Sequence, residues 1–317
     1  MKERQSNIEL LRLVCMFMVV LGHFMYGGIM TRSIIYPMQS GFASFLPRLI
    51  HAFCLCAVNT FILISGYFSI RPKAKSFINL YFTVAFYACI LYLIHLYLIG
   101  SHINRWVLYN TIMPFGLWRT STDWWFIPNY LLLFIVSPIL NKAIDAMTKR
   151  EMQTSLILLS IAVFYFGWYR NMEWAQGGFN FIQFVFMYFI GRYISLFSSA
   201  SQRSSSWFLG WLCISLLIAI INYYKPTNSP ISWYINSYNS PLTVGAAVCL
   251  FNVFRCLAIK NNRIINWFAA SALSIYLVSD CAYFREILYG YIAKIYDNVS
   301  YIHTYIHTYI HTLARIV

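Results

Sequence analysis

Stretches of about twenty consecutive apolar residues recur along this 317-residue chain, and they restrict its fold more than any other feature. A helix needs about 20 such residues to cross roughly 30 Å of hydrocarbon. Nine runs of this kind lie at about 8–28, 50–69, 77–99, 125–141, 153–169, 179–197, 206–223, 240–258 and 264–290. They are continuous rather than alternating, which argues against a transmembrane β-barrel. Hydrophobic residues make up 60 % of the chain and charged residues 10 %, whereas soluble chains carry about 25 % charged residues. The expectation is an all-α, polytopic transmembrane helix bundle of about nine to ten spans, with lipid as its solvent. The first run is too long for a cleaved signal peptide and lacks a small-residue cleavage site.

The net charge of +14 is spread over the ends of the apolar runs. That pattern sets topology and is not a nucleic-acid footprint. With the N-terminus inside, Lys2, Arg4, Arg71, Lys73, Lys75, Lys142, Lys149, Arg150, Arg203, Arg255, Lys260 and Arg263 fall on the inner face. Arg32, Arg48, Arg105, Arg119, Arg170 and Lys225 fall on the outer face. Twelve against six supports a cytoplasmic N-terminus. The eight cysteines lie in or beside apolar runs, where free Cys behaves as a small hydrophobe, and no metal-binding spacing is present. Residues 1–294 read as one membrane domain. Residues 295–317 form a tail with three copies of Tyr-Ile-His-Thr (301–312), which are expected to be low-complexity sequence rather than a His303–His307–His311 metal stripe. This tail stands where a tenth span would begin.

Ionisable groups inside a span are costly, so each is a functional candidate. Arg12 and His23 lie eleven residues apart in the first run. At about 100° per residue this is only about 20° from three full turns, and the rise is about 16 Å. Both side chains therefore share one helix face. Arg12 is expected near the cytoplasmic interface and His23 at depth. Glu9, at i, i+3, is placed to pair with Arg12. Taken singly, Arg12 also fits a snorkelling anchor, and His23 fits a hydrogen bond between helices.

The segment Asn7–Phe24, "NIELLRLVCMFMVVLGHF", resembles the first segment of the integral-membrane acyltransferase family 3. Glu9, Arg12 and His23 match its pattern of an acidic residue, Arg three residues on, ten residues, then His. Further segments are similar in order: "VNTFILISGYF" (58–68), "WWFIPNYLLLFIVSPILN" (124–141), "FMYFIGRYI" (186–194) and "SALSIYLVS" (271–279). The last of these often ends in His in the family; here Ser279 and Asp280 stand there. The paired Arg that often follows the second span is here Arg71-Pro72-Lys73-Ala74-Lys75.

The resemblance implies transfer of an acyl group, commonly acetyl, from acetyl-CoA to a hydroxyl of a cell-surface polysaccharide or its lipid-linked precursor. It implies a multi-pass protein of the bacterial inner membrane, with the lipid bilayer and a glycan acceptor as partners. The donor is a substrate, and no tightly bound cofactor is expected. Desolvation favours a neutral imidazole, so His23 is the candidate to deprotonate the acceptor hydroxyl or to carry the acyl group itself. Arg12, Arg71, Lys73 and Lys75 are candidates for the donor's phosphates, with positive-inside anchoring as the rival role for the last three. Ser65 and Gly66 are candidates to line the donor channel, with helix packing as the alternative. Asn59, Trp125, Asn129, Tyr130 and Asp280 are candidates for the substrate path. For the two asparagines and Tyr130 the rival is a helix–helix hydrogen bond; for Asp280 it is a salt bridge to Arg285. His51 and His95 are expected near the outer interface in structural roles. Two other functions stay open: a proton- or anion-coupled transporter, and an inactive truncated relative. No inverted repeat favours the transporter.

Overall fold

The computed structural model describes residues 5–38, 40–100, 102–105, 108–109, 124–199, 204–225 and 229–313, with 301–313 as backbone alone. Among the described residues every regular element is helical. Helix α1 (Ser6–His23) runs on as a π-helical segment, Phe24–Met30. Helices α2 (Gly41–Cys54) and α3 (Ala57–Phe68) follow, separated by a short break. Next come α4 (Ala74–Ile99), α5 (Phe126–Asp145) and α6 (Lys149–Ser160), the last with a π-helical extension to Tyr169. Then come α7 (Phe181–Phe197), α8 (Ser204–Tyr224), the short α9 (Pro230–Asn236) and α10 (Pro241–Arg255). The chain ends in α11 (Arg263–Ala269), α12 (Ala272–Ser279) and α13 (Ala282–Leu313).

Local chemistry sets several boundaries. Thr148 and Glu151 form a reciprocal capping box that starts α6. Asn180 caps α7 through the Gln183 amide, and Asn262 caps α11 through Ile264 and Ile265. Pro230 and Pro241 open α9 and α10, where a missing N–H costs nothing. Gly100, at φ +64°, ends α4 in the left-handed region.

The core is built around α3 and α7, with α1, α10 and α5 packed on them. Tyr188, Phe184, Phe251, Leu63 and Leu11 are fully buried there. Helices α3 and α7 approach so closely that only glycine fits between them. A Cβ at Gly66 would sit 2.3 Å from the Tyr188 carbonyl oxygen, and one at Gly191 would sit 2.2 Å from that of Leu63. Close backbone contact through small residues is how helices associate without a water-driven hydrophobic force. Outward, Phe82, Phe86 and Tyr97 on α4 and Leu158 on α6 are exposed, as lipid-facing residues should be.

Six helical stretches are long and apolar enough to cross a membrane, or seven with one bent pair, among the described residues. Three of the nine expected runs do not form a single straight helix of that length. The run at 179–197 is the 17-residue α7, and the run at 240–258 is the 15-residue α10. The run at 264–290 is broken: α11–α12 and α13 meet at 85°. An apolar run reads the same in sequence whether lipid or protein surrounds it. Helices α7 and α10 are wrapped by neighbours and include buried Gln183, Thr243 and Asn252.

Hydrogen bonds tie the basic segments to one end of the bundle. Asn141 donates to the Ile70 carbonyl (2.7 Å), and Tyr188 joins the same pair. Arg192 meets Asp145 at 2.6 Å. Arg255 donates to the Ser198 carbonyl, Asn7 to that of Phe254, and Ser6 to Asn266. Segments 71–75, 142–150 and 255–263 thus gather with the start of α1. At the other end Arg32 pairs with Glu286, Ser33 with Asp297, and Trp168 with the Tyr234 carbonyl. Lys2, Arg4, Arg119, Arg203 and the side chains of His303, His307 and His311 lie outside the described residues.

Gly191→Ala is expected to destabilise the protein by about 1–3 kcal/mol through overpacking, read as a lower thermal midpoint in detergent. Gly290→Ala, where a Cβ meets nothing within 4 Å, should leave the midpoint in place.

Candidate active site

Two cavities open along the polar face of α1 and meet at His23. The inner one, about 400 Å³, contains Arg12 and His23 in its wall. Between them the lining is largely apolar and aromatic, from Met16, Phe61, Phe126, Phe134 and Leu273. Ser65 and Tyr130 supply hydroxyls there, 3.5 Å apart. Arg12 is held by Glu9, with Nη1 3.3 Å from Oε1 and 3.4 Å from Oε2. The outer cavity, about 590 Å³, is more polar: Ser229, Asn236, Ser237, His51, Asp280 and Arg285 share its wall with Trp and Tyr side chains. Val19, His23, Val58, Trp125 and Tyr238 line both spaces.

The break after α12 places the carboxylate. Tyr276 accepts the Asp280 amide, the helix stops, and Cys281 accepts the amides of Phe284 and Arg285 to start α13. The turn points Asp280 at His23, with Nδ1 to Oδ1 at 3.7 Å. Arg285 follows from the first turns of α13, its Nη1 3.5 Å from the same oxygen. The Asp280 side chain is only 7 % exposed, so the two bases are what make its charge tolerable there. The His23–Asp280 distance of 3.7 Å is beyond a good hydrogen bond. A carboxylate on the Nδ1 side favours the tautomer with its proton on Nδ1, leaving Nε2 free to accept one. Tyr289 sits 6.4 Å from the His23 ring, and the Tyr26 ring stacks on His51 at 5.3 Å.

The chain from residue 5 to residue 313 matches the family model described as an acyltransferase domain. The chain belongs to acyltransferase family 3. By its family it is a membrane acyltransferase, and its apolar helices make it a multi-pass membrane protein. No curated protein and no solved structure matches it.

In this acyltransferase, Arg12, His23, Ser65, Trp125, Tyr130 and Asp280 line the paired cavities. Glu9 stands behind Arg12 as its partner. Other expected residues lie elsewhere. Gly66 does not line a channel: it faces the α7 backbone, where any side chain would collide. Asn59 is fully buried and donates to the Tyr238 carbonyl. Asn129 donates back to the Trp125 carbonyl one turn earlier in its own helix. Neither asparagine lines either of these two cavities. Arg71, Lys73 and Lys75 are exposed at the basic end, outside the lining of both cavities.

Four residues enter that sequence reasoning had not placed in a site: His51, Tyr238, Arg285 and Tyr289. Arg285 was visible only as a partner for Asp280. The signal for Tyr238 was the length of its polar loop, since loops beyond about 12–15 residues are commonly functional.

Arg285→Met removes the permanent cation beside a buried carboxylate. It should cost about 1.5–3 kcal/mol, seen as a lower thermal midpoint, and adding Asp280→Asn should restore part of it. Equal losses in single and double variants would show that the pair carries no coupling.

Proposed function

We propose that this enzyme moves an acetyl or other short acyl group from acyl-CoA to a hydroxyl of a cell-surface glycan or its lipid-linked precursor, in a bacterial inner membrane. The observation that carries the reading is the meeting of two cavities at one imidazole with a carboxylate beside it. The gathered basic segments support a cytoplasmic placement of that end, by the positive-inside rule. Acyl-CoA is anionic and cytosolic. Arg12 would meet it at the mouth, with Arg71, Lys73 and Lys75 on the same end to attract its phosphates. The pantetheine arm would extend along the apolar inner cavity, covering the rise of about 16 Å from Arg12 to His23. The acceptor would enter the outer cavity, where Trp233, Trp125 and Tyr238 offer faces for a sugar ring and Ser and Asn groups offer hydrogen bonds.

In the transfer step His23 Nε2 takes the hydroxyl proton, the acceptor oxygen attacks the thioester carbonyl, and the carbon–sulfur bond breaks. The proton then passes to the leaving thiolate. Asp280 offsets the positive charge that His23 holds in between. Because both substrates reach the same ring, this direct route needs no acyl-histidine.

The test is complementation of a strain deficient in glycan acetylation, followed by assay of the purified protein with radiolabelled acetyl-CoA. His23→Ala should lower transfer about 10²–10⁴-fold. Arg12→Ala should raise KM for acetyl-CoA by about tenfold, the loss of one charged hydrogen bond, with a smaller effect on kcat. Unchanged transfer by His23→Ala would overturn the mechanism, and solute uptake without acetyl-CoA would replace the function with transport.

A further inference from the structure

One of the five residues that line both cavities comes from a loop rather than from a long helix. Tyr238 lies just after α9, at the point where the polar loop dips into the bundle, and its half-buried ring lines both spaces. The ring stacks on Trp125 at 5.2 Å and 30°, and Phe179 packs edge-on against both, at 5.1 Å from Tyr238 and 4.6 Å from Trp125. These aromatics form a wall beside His23.

The backbone of Tyr238 is held more firmly than a loop residue needs. Its amide donates to the Gly177 carbonyl at 3.0 Å. Its carbonyl accepts from Asn59 Nδ2 at 2.7 Å and from Gln183 Nε2 at 3.0 Å. Gln183 also donates to Asn59 Oδ1 at 3.1 Å. Asn59 is 0 % and Gln183 1 % exposed. Two buried primary amides, one from α3 and one from α7, thus converge on a single loop carbonyl. Burying such groups is expensive unless they are paired, and here the pairing fixes the backbone that carries the Tyr238 ring. The neighbouring residue is fastened too, with Asn239 donating to the Ala175 carbonyl at 3.0 Å.

We propose that Tyr238, gripped by the Asn59–Gln183 amide pair, is the partition between the cavities: it sets the acyl length accepted at His23 and keeps water of the outer cavity from the thioester. This inference rests on the acyltransferase reading given above. Both cavities are largely apolar where they meet, so a short acyl group at His23 faces the aromatic wall on its far side. A longer chain would meet the wall, and loss of the ring would widen the opening through which outer-cavity water reaches the thioester. The side reaction held back is hydrolysis: a water oxygen attacks the carbonyl, the carbon–sulfur bond breaks, and a carboxylate, the CoA thiol and a proton result.

The experiment uses the full-length protein in lipid nanodiscs. Release of CoA from acetyl-, propionyl-, butyryl- and hexanoyl-CoA is measured by chromatography, with and without cell-envelope glycan. Tyr238→Ala should raise acceptor-free CoA release severalfold and raise the butyryl-to-acetyl rate ratio. Tyr238→Phe, which keeps the ring, should keep the low acceptor-free CoA release and the acyl preference of the parent, whatever its effect on acceptor affinity. Asn59→Leu, which loosens the grip, should leak to an intermediate degree. A misfolded variant loses both rates together and cannot gain hydrolysis. If the parent transfers acetyl while Tyr238→Ala keeps its low hydrolysis and its acyl preference, or loses both rates together, the partition is wrong and the acyltransferase reading stands. If the parent cleaves no acyl-CoA even with glycan present, both fall.

Discussion

A carboxylate set inside an apolar bundle organises this structure. Lipid cannot solvate Asp280, so its neighbours must. His23 and Arg285 do so from two different helices, both against one oxygen. That requirement explains the break at residue 280, since a continuous helix would carry α13 away from α1. It also explains why His23 lies where α1 changes to a π-helical turn, a deviation that often accompanies functional sites. The chemistry and the irregular backbone have one origin.

The inner cavity has a polar group at each end and an apolar wall between. The outer cavity is built from a loop whose serines and asparagines are largely buried. Asn222, Ser232 and Asn236 hydrogen-bond among themselves beneath it. Such a network keeps a polar loop seated among apolar helices, because each member satisfies another. In the proposed reaction an acylated thioester arm would occupy the first space and a hydroxyl-bearing acceptor the second.

Much of the helical bundle was legible in the sequence because runs of about twenty apolar residues leave few alternatives. The span count was less legible. Helices α7 and α10 are apolar because they are wrapped by protein, and hydropathy does not separate that from exposure to lipid. On α1, helical periodicity correctly put Glu9 beside Arg12, and Arg12 and His23 on one cavity-lined face. Contacts across long sequence separations were beyond such reasoning. Nothing local in "VNTFILISGYF" shows that Asn59 reaches a loop carbonyl 179 residues away, or that Gly66 is small because another backbone lies against it. Tyr238 was hidden for the same reason: its role depends on where its loop is anchored.

The contact between Gly66 and the α7 backbone has a consequence beyond stability. Helices α3 and α7 are locked face to face, and each supplies one of the amides that grip Tyr238. The grip therefore inherits the spacing of the two backbones. A methyl group inserted into that seam, far from any substrate, would spread the two amides and loosen the wall beside His23. Under the proposed partition, acyl selectivity is in that sense a dimension of packing, and drift in acyl preference would arise at positions that no substrate touches.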